Sequence, residues 1–135
     1  LVVHAEKAIA KASEMNHSKI KDYTATAFFT DEFGIGGHEW AIAFEKEPLD
    51  LEKFTKDLDL SLMELNGDYE GKRKSSLNMI KPKVHIVDSN VFEKWLKSKN
   101  KLGGQHKIPR LTKDRKLIEE IYDLSLKIQR NSYIY

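Results

Sequence analysis

Glu39-Trp40-Ala41-Ile42-Ala43-Phe44-Glu45 sets large apolar side chains on one parity and alanines on the other. A period of two marks a strand, because successive side chains leave opposite faces of the sheet. Upstream, residues 20–30 are dense in Tyr, Thr and Phe, which fit a pleated surface. Residues 31–37 between them hold three glycines, which predicts a hairpin and an antiparallel pair.

Helices flank this pair. Val3, Ala8, Ile9, Ala12 and Met15 recur at helical spacing, which predicts a helix over 4–15 that ends at Asn16-His17-Ser18. After Pro48, Leu51, Phe54, Leu58, Leu62 and Leu65 share one face, with Asp50 placed as N-cap and Asn66-Gly67 as the stop. Residues 68–75 read as a second short helix and residues 83–87 as a third strand, and Asn90 is expected to cap a helix to about Lys99. Thr112 precedes a final helix, where Leu117, Ile121, Leu124 and Ile128 repeat every three or four residues. A frayed tail is expected over 131–135. The order α-β-β-α-β-α-α predicts an α+β fold: a two-layer sandwich with a small, mostly antiparallel sheet of three strands or slightly more, covered by helices.

At 135 residues the chain suits one domain spanning 1–135. With 40% hydrophobic and 33% charged residues and no apolar run near the ~18 residues of a membrane span, it reads as soluble and non-membrane. Zero cysteines exclude a disulfide scaffold and a thiol nucleophile. The opening Leu1-Val2-Val3-His4 shows neither an initiator Met nor a signal peptide, so a cytoplasmic piece of a longer protein is expected.

The net charge of +2 hides an uneven distribution. Residues 94–116 carry nine basic side chains against the single acid Asp114, a local +8, while the other 112 residues hold 14 bases and 20 acids, or −6. An anionic partner at this segment follows from the charge. A stand-alone module gripping nucleic acid or another polyanion is the alternative to an enzyme part. Trp95 is the lone aromatic in the basic run, which gives single strands little to stack on and makes nucleic acid the weaker reading.

Familiar motifs are absent. Gly34-Ile35-Gly36-Gly37 joins strand to strand and has Glu39 where a dinucleotide fingerprint needs its third glycine. Residues 67–73 fall one short of a phosphate-cradling loop, and the five histidines follow no metal-ligand spacing. What remains is Lys101-Leu102-Gly103-Gly104-Gln105-His106-Lys107-Ile108-Pro109-Arg110. Its glycine pair permits positive φ, Pro109 pushes Ile108 into an extended conformation, and Lys107 and Arg110 stand three residues apart. An exposed lysine on such a loop suits phosphate oxygens, with Arg110 giving either a second contact or a structural ion pair.

That run to Leu111, with Asp22-Tyr23-Thr24-Ala25, Gly37-His38-Glu39-Trp40, Phe44-Glu45-Lys46-Glu47-Pro48, Glu64-Leu65-Asn66, Asp68-Tyr69-Glu70 and Lys94-Trp95-Leu96-Lys97, resembles the C-terminal domain of the Gretchen Hagen auxin-responsive family of acyl-acid amido synthetases. These belong to the adenylate-forming superfamily. The resemblance implies a mobile lid that closes over a large N-terminal domain, its own partner, which holds the acid and most of the ATP and magnesium. It implies that Lys107 meets the ATP phosphates, with Arg110 beside it. Lys7 would correspond to a lysine near the interdomain hinge, or else to a solvated helix position. Tyr23, Asp68, Tyr69 and Arg73 match positions that pack or hydrogen-bond inside the lid.

Overall fold

A computed structural model describes residues 2–29, 36–75, 79–99 and 107–132. Helix α1 (Val2–Met15) leads into strands β1 (Lys19–Phe29) and β2 (Gly36–Lys46), followed by α2 (Leu51–Leu65), α3 (Gly67–Lys74), β3 (Lys83–Val87), α4 (Val91–Ser98), β4 (Leu111–Thr112) and α5 (Lys116–Ser132). The α+β class predicted from periodicity is the one the chain adopts. The expected hairpin appears as an antiparallel β1–β2 pair, in register at Tyr23 with Ile42 and Ala25 with Trp40. The turn itself lies outside the described residues.

The sheet has four strands in the order β3-β2-β1-β4, the small helix-covered sheet expected, and it is mixed: one strand pair is antiparallel and two are parallel. β3 runs parallel to β2, with Trp40 beside Val84 and Ile42 beside Ile86. The reason is the length of the connection: α2 and α3 supply the long crossover that a parallel neighbour needs. β4 pairs only Leu111 and Thr112, parallel to Ala25 and Thr26 of β1, too short to leave a periodic signal.

The alternation in β2 sorts the helices. Trp40, Ile42 and Phe44 join Ala8, Ile9 and Ala12 of α1 and Phe54, Leu58 and Leu62 of α2 in one buried cluster. Ala41 and Ala43 leave the strand on the other parity, into a cluster with Val91 and Phe92 of α4 and Leu117, Ile118 and Ile121 of α5. Alanines there leave room for the helices to approach the sheet closely. Rings interlock on the first side, Phe44 edge-on to Phe54 at 5.4 Å and Tyr23 stacked on Trp40 at 5.7 Å between centroids.

Local chemistry sets the helix ends. Asp50 caps α2, accepting the Lys53 N–H at 3.1 Å. Asn66 ends α2 through its N–H to Leu62 O and starts α3 through Oδ1, which accepts from the Asp68 and Tyr69 N–H groups. α1 ends with His17 at φ 51°, Ser18 N–H on Ser13 O and His17 N–H on Glu14 O, a Schellman closure with histidine in the glycine position. Asn90 departs from expectation. Its side chain makes no capping bond and instead accepts from Lys21 Nζ at 2.7 Å, while Asp88 Oδ2 takes the Asn90 N–H at 2.9 Å. Helix α5 continues through Asn131 to Ser132, past the point where fraying was expected; 133–135 lie outside the described residues.

Candidate functional site

Lys107 opens the last described segment, and the residues after it are fastened to β1 one by one. Ile108 is buried in the cluster that holds Ala41 and Ala43. The Pro109 carbonyl accepts Thr24 Oγ1 at 2.6 Å, and the Arg110 carbonyl accepts the Ala25 N–H at 2.9 Å. Leu111 and Thr112 form β4, and Thr26 Oγ1 donates to Asp114 O at 2.9 Å. Lys107 is exposed at the end of this fixed run, with no carboxylate within 4 Å among the described residues. The glycine pair Gly103-Gly104 and Lys101 lie outside the described residues.

Arg110 has a different setting. Its Nη1 donates to Asp22 Oδ1 and to Tyr23 O at 2.7 Å, Nε stands 3.8 Å from Glu6 Oε1, and the guanidinium lies 4.4 Å over the Tyr23 ring. Of the two expectations for Arg110, the structural ion pair is the contact present. Burial pushes the Tyr23 hydroxyl up to about 12, partly opposed by the Arg110 charge. Lys7 is exposed on α1 next to Glu6, so the structure brings its helix, through Glu6, against the Arg110 segment.

The rest of the basic segment divides similarly. Arg115 and Lys99 are paired, with Glu39 and Glu120 respectively, while Lys94, Lys97, Lys113 and Lys116 are exposed. Trp95 is partly buried and its indole N–H donates to Glu120 Oε2 at 3.1 Å, so the aromatic of the basic run is engaged within the fold. Among the described residues no group of three or more His, Cys, Asp or Glu is placed to hold a metal, and no helix is long and apolar enough to cross a membrane.

Two polar networks join residues for which the sequence reading named no partner. Glu39 on β2 receives Arg115 at 3.0 and 3.2 Å and the Tyr122 hydroxyl at 2.5 Å, with His85 Nε2 at 3.7 Å. Burial would raise the Glu39 carboxyl, but bonds from Arg115 and Tyr122 outweigh it and hold it below the ordinary carboxylate range. On the other side, Asp59 of α2 accepts from Tyr69 at 2.6 Å and from Arg73 at 2.9 and 2.6 Å, tying α3 to α2. Tyr69 and Arg73 thus hydrogen-bond within the domain, whereas Asp68 is exposed. The sequence signal was an acid, Glu39, directly before the apolar run Trp40 to Phe44; buried beside that run, it demands a partner.

A small helix-covered mixed sheet with a lysine-bearing edge segment defines an α+β domain. Residues 3–116 match the GH3 family C-terminal domain, and the chain belongs to that family. Among solved structures, it is similar to the AtGH3.15 acyl acid amido synthetase in complex with 2,4-DB, with TM-score 0.67 and 16% identity over 89% of this chain. It is also similar to a second structure of the GH3.15 acyl acid amido synthetase, with TM-score 0.68 and 18% identity over the same 89%. The chain spans 23% and 24% of the length of those chains. No curated protein sequence matches it.

Proposed function

We propose that this domain is the mobile lid of an ATP-dependent acyl-acid amido synthetase and that Lys107 is its contact with the ATP phosphates. In the first step of such a reaction a carboxylate oxygen attacks the α-phosphorus and pyrophosphate leaves. In the second an amine nitrogen attacks the acyl carbon, AMP departs and the nitrogen loses a proton. Negative charge on the phosphates grows during the first step, where a fixed ammonium stabilises the transition state more than the ground state.

The observation that carries the reading is the contrast at the loop: Lys107 exposed, with Ile108 to Thr112 anchored behind it. A charge held in place costs little reorganisation when the lid docks. Of the groups around it, Lys107 fits the phosphates, and in this reading the adenine and magnesium contacts fall to the large domain, which closes with the lid inside the cytoplasm. Lys7, exposed beside Glu6 on α1, is proposed as a lesser phosphate-side or hinge contact.

The test is acid-dependent ATP–pyrophosphate exchange by the complete enzyme. Lys107→Ala is expected to lower it at least tenfold, within the ~10²- to 10³-fold range of such electrostatic contacts. An unchanged rate removes Lys107 from the adenylation step.

A further inference from the structure

We infer that Arg110 is a positioning residue that aims Lys107 through Asp22, and that it does not itself hold phosphate; this rests on the role proposed for Lys107. A guanidinium offers its N–H donors in a rigid fork. Here one arm of that fork is occupied: Nη1 bonds Asp22 Oδ1 and, at 2.7 Å, Tyr23 O, while one face covers the Tyr23 ring at 4.4 Å. A polyphosphate approaching Arg110 would also meet the carboxylates of Asp22 and, 3.8 Å from Nε, Glu6. Their charges cancel the attraction Arg110 would offer. Among the described residues, no carboxylate stands within 4 Å of Lys107.

Asp22 is itself prepared for the task. It lies where the β1–β2 register shifts, between Ile20 and Asp22, an irregularity of the kind that re-aims a side chain. Its Oδ1 also accepts the Tyr23 N–H at 2.9 Å, so the carboxylate is oriented by its own strand when Arg110 binds it. Arg110 is then held by side chain and backbone at once, since its carbonyl takes the Ala25 N–H. It lies three positions along the chain from Lys107, at most roughly 11 Å. With Ile108 buried between them, a shift of the Arg110 anchor is passed to Lys107.

The experiment uses the complete enzyme and compares Arg110→Gln, Arg110→Lys, Asp22→Asn and the Arg110→Gln/Asp22→Asn double variant with Lys107→Ala. Exchange kcat is expected to fall about 10- to 100-fold in both Arg110→Gln and Asp22→Asn, the scale of a misplaced catalytic group. KM for ATP should stay within twofold, and the double variant should be no worse than either single one. The Arg110→Lys variant keeps the charge but lacks the fork, so it should not rescue.

A tenfold rise in KM for ATP in Arg110→Gln alone, relieved by Arg110→Lys, would overturn the inference in favour of a phosphate contact. A lowered melting temperature with unchanged exchange well below it would overturn it in favour of a purely structural pair. Both results leave the Lys107 reading standing if Lys107→Ala is impaired; an unimpaired Lys107→Ala defeats that reading and the inference together.

Discussion

Glu39 and Arg115, 76 residues apart, meet in a two-point ion pair in which the carboxylate side chain is 10% exposed and the guanidinium 43%. This inequality makes the two halves of the pair unequal in effect. Glu39→Gln leaves Arg115 with Glu119 at 2.8 Å and with water. Arg115→Ala leaves a buried carboxylate with the Tyr122 hydroxyl as its main donor. Uncompensated buried charge is the costlier outcome, so Arg115→Ala should destabilise by about 2–3 kcal/mol and Glu39→Gln by about 1 kcal/mol. Denaturant unfolding of the two variants checks the order, and a larger loss from Glu39→Gln would show that the burial argument is wrong.

Acid should weaken the fold. Burial, reinforced by the nearby Lys72 charge, holds the His38 imidazole below its ordinary 6.5, while its ring stacks on Tyr69 at 5.9 Å. The unfolded chain therefore takes up this proton at a higher pH than the folded one. The contribution of His38 is complete above about pH 6.5 and is lost as the pH falls through the folded value. Glu39 acts in the same direction at lower pH, its stabilisation present above 4.5 and lost below. Stability should fall from pH 7.5 to 5.5, and His38→Phe should flatten that slope. Equal slopes for the two proteins would assign the effect to other groups.

What the sequence displayed and what it hid follow from what periodicity encodes. The parity of Trp40, Ile42 and Phe44 against Ala41 and Ala43 assigned the faces of β2, and Asp50 and Asn66 announced helix ends through chemistry local to three or four residues. Lys107 stood out because the sequence sets it between a glycine pair and Ile108-Pro109 in a basic run. The partner of Arg110 did not: Asp22 lies 88 residues away, and a repeat says which face a side chain leaves from, not which distant side chain it meets. Strand direction was hidden for the same reason, and Asn90 failed as a cap because Lys21 of β1 competes for its oxygen.

His17 is exposed and sits at φ 51°, where an L side chain crowds its own backbone and glycine does not. Because the Schellman bonds at Ser18 and His17 are made by backbone, replacing the side chain keeps them. His17→Gly is expected to stabilise by about 0.5–1 kcal/mol, after allowing for the extra entropy of glycine in the unfolded chain, and His17→Val to destabilise. The melting temperature should rise by roughly 2–4 °C for the glycine variant. A fall would show that the imidazole makes a contribution larger than the strain.

Gly37 faces Phe28 directly across the β1–β2 ladder, and a Cβ there would lie 2.6 Å from Phe28 Cζ and 3.0 Å from Ile80 Cγ1. The ring covers the glycine while the Lys83 ammonium stands 4.8 Å from its centroid, which restrains the ring from swinging aside. Gly37→Ala should therefore cost about 1–3 kcal/mol as an overpacking change. If the clash is the cause, the loss belongs to the pair: in a Phe28→Leu background the same Gly37→Ala substitution should cost less than half as much. A double-mutant cycle by denaturant unfolding measures the difference. Additive losses would instead assign the cost to the backbone of β2, independent of the ring.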